Sequence, residues 1–339
     1  MVRTSDFAVI GAGVMGSATA GWLATRGASV VLVDQYPRGH TRGGSHGDSR
    51  IFRLAYSEPD YVQLAIESLA GWRQLEEECG QALLETTGGV DHGLEVVDTI
   101  GGVLGRFGVA FEALGAEAAM ARWPGMRFEG EVLFQPDAGR LHADRALAAL
   151  QTLAERHGAT LLFDCRARID KMTDTQVVVA TEQGEIETGV AVVAAGAWAP
   201  RLTPPALALP AIRVTHEQPA YFLASPADGW PAFVHYDAGD EGPANRFAGY
   251  GLPVPGRGVK VGLHASGEVL DPDATTRPPN PALAEQLADY VAAWLPGLEP
   301  HPVPAATVAR LSPRPAAASV PAPGSGPIGV SCISNTIWN

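Results

Sequence analysis

The chain has 339 residues, long enough to bury a sizeable core and, at about 150 residues per domain, to make two domains. Its 24 Lys and Arg against 37 Asp and Glu leave a formal net charge of −13 with no basic stripe, which argues against nucleic acid and anionic membrane as partners. Three cysteines, Cys79, Cys165 and Cys332, are odd in number and lack C-x-x-C or metal-ligand spacing, so reduced thiols in a cytoplasmic protein without a metal site are expected.

Met1–Asp6 is polar, runs straight into a strand and has neither the basic region nor the cleavage site of a signal peptide. Phe7–Ile10 reads as a short apolar strand, Met15–Arg26 as a helix and Ser29–Val33 as a β-branched strand, a β-α-β unit with short turns. Between the first strand and the helix stands Gly11-Ala-Gly13-Val-Met-Gly16, a complete G-x-G-x-x-G in the context that gives the motif meaning. One glycine allows the tight turn, one lets backbone approach a pyrophosphate at the positive helix end, and one permits close helix–strand packing. Asp34, 23 residues after Gly11, is placed to accept hydrogen bonds from an adenosine ribose and would repel a 2′-phosphate. FAD or NAD follows, not NADP; the motif alone does not choose between the two.

Gly43–Tyr56 then sets Arg50 and Arg53 three apart among Ile51, Phe52 and Leu54, either as an anion site or as surface arginines whose apolar neighbours point inward. Tyr61–Glu78 is an amphipathic helix carrying Leu64, Leu69, Trp72 and Leu75, expected to cover a sheet face and to end at Gly88-Gly89. Ala143–His157 reads as a helix, Thr160–Phe163 as a strand, and Gln176–Ala180 with Glu185–Thr188 as a hairpin around Gly184. Val190–Ala195, an apolar run that no other in the chain exceeds in length, reads as a buried strand and is far too short to span a bilayer. From Arg213 to Gly267 short strands punctuated by Gly and Pro indicate an antiparallel sheet of a second domain, followed by a helix over Pro281–Leu295. After Thr307 the pattern is lost, since 18 of the last 32 residues are Ala, Pro, Ser or Gly. Lys260, alternating with Val259 and Val261, reads as an outward-facing strand lysine, His264 as an ordinary polar strand residue, and Trp123 and Trp198 as core packing.

Five segments change the weight of these readings. S-H-G-D-S-R-I-F-R-L-A-Y at 45–56, A-R-W-P-G at 121–125, F-Q-P-D-A-G at 134–139, V-V-A-A-G-A-W-A-P at 192–200 and V-K-V-G-L-H at 259–264 together resemble the monomeric sarcosine oxidase and N-methyltryptophan oxidase family of flavoproteins. The resemblance runs from about Asp6 to Thr307 and selects FAD. It implies an α/β fold: a Rossmann-like FAD-binding domain from discontinuous segments, 1–87 and 141–212, with an inserted, mainly antiparallel α+β substrate domain, 88–140 and 213–304. It places His46 and Arg50 near the flavin ring and Gly196 and Trp198 on the cofactor side. It makes Arg53 the anchor of the substrate carboxylate, Tyr56 a pocket-lining residue, and Tyr250 and His264 substrate-side groups. Lys260 becomes the lysine that activates oxygen.

Each role has a chemical reason. An arginine fork pairs bidentately with a carboxylate. A lysine fixes positive charge where a superoxide-like anion develops. The flavin carries the hydride chemistry while the protein orients the substrate's carbon–nitrogen bond. The implied activity is oxidation of N-methyl or secondary amino acids, with hydride transfer to flavin and reduction of oxygen to hydrogen peroxide. The implied partners are a small carboxylated amine and oxygen, in a monomer rather than an obligate oligomer.

The tail departs from the family. Val308 stands where the flavin-linking cysteine belongs, no S-G-H-G-F-K stretch appears, and with it goes a lysine that assists Arg53. Residues 305–339 are therefore expected to be an aberrant replacement for the end of the FAD domain, without a strand pattern, as from a truncated or frame-shifted coding sequence. FAD is expected to be held without a covalent bond. The alternatives are an inactive remnant that binds FAD weakly or not at all, and an NAD-dependent dehydrogenase.

Overall fold

The computed structural model describes residues 2–93, 97–203, 212–224, 229–236, 247–264, 266–269, 271–274, 278–304 and 308–313, the last segment by its backbone. The expected tail over 305–339, Cys332 included, lies outside the described residues except for 308–313. In chain order the strands are β1 (Val2–Ile10), β2 (Val30–Val33), β3 (Arg50–Phe52), β4 (Leu84–Thr86), β5 (Gly89–Gly93), β6 (Glu112–Gly115), β7 (Glu131–Gln135), β8 (Gly139–Leu141), β9 (Thr160–Leu162) and β10 (Ala167–Met172). They continue as β11 (Val177–Thr181), β12 (Gly184–Val193), β13 (Ile212–Glu217), β14 (Ala220–Phe222), β15 (Ala232–Tyr236), β16 (Phe247–Val254), β17 (Gly258–Leu263), β18 (Glu268–Val269), β19 (Val303–Pro304) and β20 (Val308–Pro313). The helices are α1 (Val14–Thr25), α2 (Pro59–Cys79), α3 (Gly102–Arg106), α4 (Ala116–Arg122), α5 (Ala143–Arg156), α6 (Ala199–Leu202) and α7 (Pro281–Trp294).

The first sheet has the order β10-β11-β12-β1-β2-β9, parallel from β12 to β9. Every residue of β2 is buried, as a strand covered on both faces requires. Helix α1 crosses from β1 to β2 and packs against α5, Gly21 admitting the Leu153 side chain. The expected hairpin and buried strand form one strand: β12 pairs with β11 antiparallel over Gly184–Thr188 and with β1 in parallel over most of its length. Thr188 bridges the two parts by donating its hydroxyl to the carbonyls of Asp6 and Val190. Val190–Val192 is only half-buried, not buried as expected.

The second sheet, of order β19-β14-β17-β16-β15-β5-β7-β6, is antiparallel except between β15 and β5. Strand side chains alternate between faces, so paired residues share a face. One face presents Val90, Phe134, Phe233, Val259 and Val261 to Leu287 and Val291 of α7 in a single apolar cluster. The opposite face carries the polar residues considered below.

Two further differences from the sequence reading have local causes. Helix α2 starts at Pro59, whose fixed φ suits a first helical position, and stops at Gly80, in the left-handed region at φ +67° with its N–H on the Glu76 carbonyl. Gly88, expected to end that helix, instead turns the chain between β4 and β5. Backbone Val308–Pro313, expected to lack strand pattern, pairs antiparallel with β13, because backbone hydrogen bonds need only an open partner edge.

Candidate active site

A cavity of about 340 Å³ opens at the C-terminal end of β1, lined by Gly11, Gly13, Asp34, His46, Gly196 and Trp198 among others. Helix α1 begins at its wall with Gly13 as a cap that offers no side chain, so backbone N–H groups and the positive helix end face the space. Gly11 has φ +106°, and a Cβ there would lie 2.5 Å from the Ala194 carbonyl oxygen. Gly16 does not line the cavity; a Cβ on it would fall 1.8 Å from the Gly11 oxygen, so it is the glycine that packs helix against strand. The Asp34 carboxylate is oriented by the N–H groups of Ala12 at 2.6 Å and Tyr36 at 2.9 Å. Trp198 is not core: it is half-buried on the cavity wall and donates its indole N–H to Asp273 at 2.8 Å. Trp123 does pack in a core, beside Phe128 and Phe134.

The segment between β2 and β3 closes one side. Arg50 is buried, donating to the carbonyls of Gly44, His46 and Ser49 at 2.7–2.8 Å, so its guanidinium staples the loop from within. His46, 5% exposed, lines the cavity with both ring nitrogens unpartnered by described residues. Burial first and the Arg50 cation second push its pKa down to about 4, leaving a neutral ring with one donor and one acceptor available.

Lys260 is also buried, which excludes the outward-facing reading: the alternation with Val259 and Val261 is real, but the other face is covered by protein. Its ammonium donates to the Ser49 carbonyl at 3.3 Å and lies 3.7 Å from Asp48. Burial, then Arg50, lower its pKa to about 8 against the pull of Asp48. Asp48 also accepts from the Tyr221 hydroxyl, Ser49 Oγ and Arg257. Burial opposes its ionisation, but these donors and Lys260 outweigh it and hold the carboxyl below its ordinary range.

Arg53, the other half of the pair, is not a surface arginine either. Its Nη1 donates to the Ala55 carbonyl, to Tyr236 Oη at 2.7 Å and to Asp91 Oδ1 at 3.2 Å, and its guanidinium carbon sits 4.4 Å from the Tyr56 ring centre. The backbone beside it is fixed by Gln135, fully buried, whose side-chain oxygen accepts from the N–H groups of Leu54 and Ala55. Asp91 is 2% exposed; burial pushes its pKa up to about 6, against the charge of Arg53.

Sheet register brings these groups together. Asp91, Val234, Tyr250 and Gly262 form one row across β5, β15, β16 and β17, with Tyr236 and Lys260 two residues along on the same face. The missing side chain of Gly262 leaves room for the Tyr250 ring, whose Oη would lie 2.5 Å from a Cβ there. His264 follows β17 directly and is half-buried. Arg53 and Tyr56 therefore meet one end of a sheet face whose other end is Lys260, under Ser49. Sequence reasoning missed Asp91, Tyr236, Asp48 and Gln135. The available signals were a carboxylate inside the short, glycine-bounded β5, and the positions of Asp48 and Gln135 within two of the quoted segments.

Residues 6–333 match the family described as FAD dependent oxidoreductase. The chain belongs to that family. It is 31% identical over 280 residues to monomeric sarcosine oxidase of Bacillus sp. (strain NS-129), covering 80% of this chain and 72% of the relative. It is 30% identical over 274 residues to N-methyl-L-tryptophan oxidase of Escherichia coli (strain K12), covering 78% and 72%. Among solved structures, NikD, an unusual amino acid oxidase essential for nikkomycin biosynthesis, superposes with a TM-score of 0.77 at 28% identity, over 92% of this chain and 82% of that one. Glycine oxidase from Geobacillus kaustophilus superposes at 0.73 with 20% identity, over 92% and 84%, a likeness of fold. The protein is an FAD-dependent amine oxidoreductase of the amino acid oxidase type, with the Rossmann-like fold of that family. Among the described residues no helix is long and apolar enough to cross a membrane.

The residues present fit FAD. The helix end and glycine turn suit a pyrophosphate, Asp34 suits a ribose, and the unpartnered, nearly buried His46 nitrogens face the space that a ring system would fill.

Proposed function

We propose that the protein oxidises the carbon–nitrogen bond of small N-methyl or secondary amino acids, with oxygen as final acceptor and hydrogen peroxide as product. The observation that carries this reading is the shared sheet face: the half-buried Arg53 at one end and the buried Lys260 at the other, with Tyr250 between them. The named activities of the sarcosine and N-methyltryptophan oxidase relatives support the same substrate class.

FAD supplies the electron acceptor when bound. Gly11, Gly13 and the start of α1 would hold its pyrophosphate, Gly16 keeps helix and strand close enough for that approach, and Asp34 would take the ribose. His46 would lie beside the ring, held by the loop that Arg50 staples, with Gly196 and Trp198 on the cavity wall. Residues 1–87 and 141–212 make the cofactor domain and 88–140 and 213–304 the substrate domain. Val308 offers no thiol, so the cofactor is held without a covalent bond. Arg53 binds and orients the substrate carboxylate, while Tyr56, Tyr250 and His264 line the pocket around the amine. Lys260, still mainly protonated at pH 7 with its pKa near 8, holds positive charge at Nζ where oxygen is reduced.

The test is peroxide release from the flavin-loaded protein with N-methylglycine, larger N-methyl amino acids and their neutral methyl esters. The reading predicts peroxide from the free acids above that from the esters. No peroxide from any N-methyl amino acid, with reduction of NAD instead, would replace it by the dehydrogenase reading.

A further inference from the structure

Arg53 carries a protein carboxylate where a substrate carboxylate is expected. Asp91 reaches it from the middle of β5, 2% exposed, through one oxygen: Oδ1 takes both the Arg53 Nη1 bond at 3.2 Å and the Tyr236 hydroxyl at 3.1 Å. This is a single-point contact at the long end of a hydrogen bond, not the two-pronged pairing of which a guanidinium is capable. A substrate carboxylate arriving at Arg53 would stand beside the buried Asp91, and two carboxylates sharing one guanidinium there do not both stay ionised.

Resting on the carboxylate-anchor reading above, we propose that Asp91 is a specificity-determining residue. It is the internal counter-ion of Arg53, and a carboxylated ligand binds by displacing it while Asp91 takes up one proton from solvent.

The proton has a place to go. Both contacts fall on Oδ1, so Oδ2 carries it, and Tyr236 continues to donate to Oδ1. Among the described residues the titratable and charged groups that face Asp91 are Arg53 and Tyr56 from the segment after β3 and Tyr236 from β15; its partner on β7 is Leu133, which is apolar. Burial already holds Asp91 near the protonated form, with a pKa of about 6, so the uptake lies within the working pH range. With Asp91 ionised the Arg53 pair is neutral overall and selects against anions. With Asp91 protonated the guanidinium no longer faces this counter-charge, and an anionic ligand can supply it. The residue thereby decides between acids and uncharged amines, and does so as a function of pH.

Methoxyacetate is an unreactive oxygen counterpart of N-methylglycine, an anion throughout the range of interest, and is titrated calorimetrically into the flavin-loaded protein between pH 5.5 and 8.5 in two buffers of different ionisation enthalpy. The wild-type protein is expected to take up about one proton per ligand between pH 7 and 8, with Kd rising about tenfold per pH unit. Asp91→Asn is expected to abolish both effects and to bind at least about tenfold more tightly than wild type at pH 8. Binding by wild type without proton uptake, or uptake retained in Asp91→Asn, overturns the counter-ion role and leaves the anchor reading standing. Absence of binding at every pH by both proteins, while flavin remains bound, removes the anchor and this role with it. If Asp91→Asn does not fold, the wild-type proton count still decides, and Tyr236→Phe, which keeps the Arg53–Asp91 contact, should retain the uptake.

Discussion

Replacing Lys260 with Met should leave the fold at least as stable as wild type. Lys260 is 5% exposed, and at 3.7 Å the attraction of its ammonium to Asp48 is about 4.5 kcal/mol for an effective dielectric constant of about 20. Desolvation and the Arg50 cation outweigh that attraction, since they bring the pKa from 10.5 to about 8. At 1.4 kcal/mol per pH unit, the charged form in the folded protein is disfavoured by about 3 kcal/mol relative to the unfolded chain. Methionine has a similar reach and no charge, and Asp48 keeps Tyr221, Ser49 and Arg257 as partners. The sign in pH follows: because the folded pKa is depressed, the unfolded state binds more protons between pH 8 and 10.5, and wild-type stability gains on the variant as pH rises through that window. Urea unfolding of both proteins without FAD, followed by tryptophan fluorescence at pH 7, 8, 9 and 10, measures the difference. The variant should be ahead by up to about 3 kcal/mol at pH 7 and should lose most of that lead, leaving about 1 kcal/mol, by pH 10. A variant several kcal/mol less stable at pH 7, or a difference that does not vary with pH, would show that the buried ammonium is a net structural support and refute the reasoning.

Arg53→Met should raise KM for N-methylglycine by about thirtyfold, the equivalent of one charge-assisted hydrogen-bond pair of about 2 kcal/mol, while the methyl ester and FAD affinity change little; equal losses on both substrates would assign Arg53 a structural role. Gly16→Ala should abolish retention of FAD through gel filtration, because its Cβ would meet the Gly11 carbonyl oxygen and backbone cannot step aside; a yellow variant would contradict that packing. His92, stacked 4.3 Å from His235 on the α7 face, is held well below its ordinary pKa of 6.5, first by burial and then by His235. Its contribution to stability is present above pH 6.5 and is lost as pH falls below it, so His92→Phe should flatten the stability profile between pH 6.5 and 5. An unchanged acid limb in unfolding titrations would place the sensitivity elsewhere.

The parts of this molecule that could be read in the sequence are those fixed by local rules. The β-α-β start, the glycine turn and the acid at position 34 follow from short-range pattern, and the structure seats Gly11, Gly13 and Asp34 around one cavity. What could not be read depends on partners far along the chain. Alternation around Lys260 separates two sheet faces but says nothing of what covers the outer one, and the cover comes from Asp48 and Ser49, some 210 residues earlier. Arg53 meets Asp91 and Tyr236 only because β5 and β15 are neighbours, an order that no spacing announces. Helix α2 runs through Gly71 and ends at Gly80, which takes positive φ, rather than at the more conspicuous Gly88-Gly89 pair. Strand β20 forms where composition alone gives no strand signal, since β13 presents an edge to be paired.

The most direct test of the account is an anaerobic titration of the FAD-loaded protein with N-methylglycine, followed in the visible spectrum and then opened to air, with the protein finally precipitated by acid. Substrate is expected to bleach the flavin band, oxygen to restore the colour with release of peroxide, and acid to leave all of the flavin in the supernatant. A protein that binds FAD but is not bleached by any N-methyl amino acid would contradict the proposed oxidation, and flavin retained on the precipitated chain would contradict its non-covalent attachment.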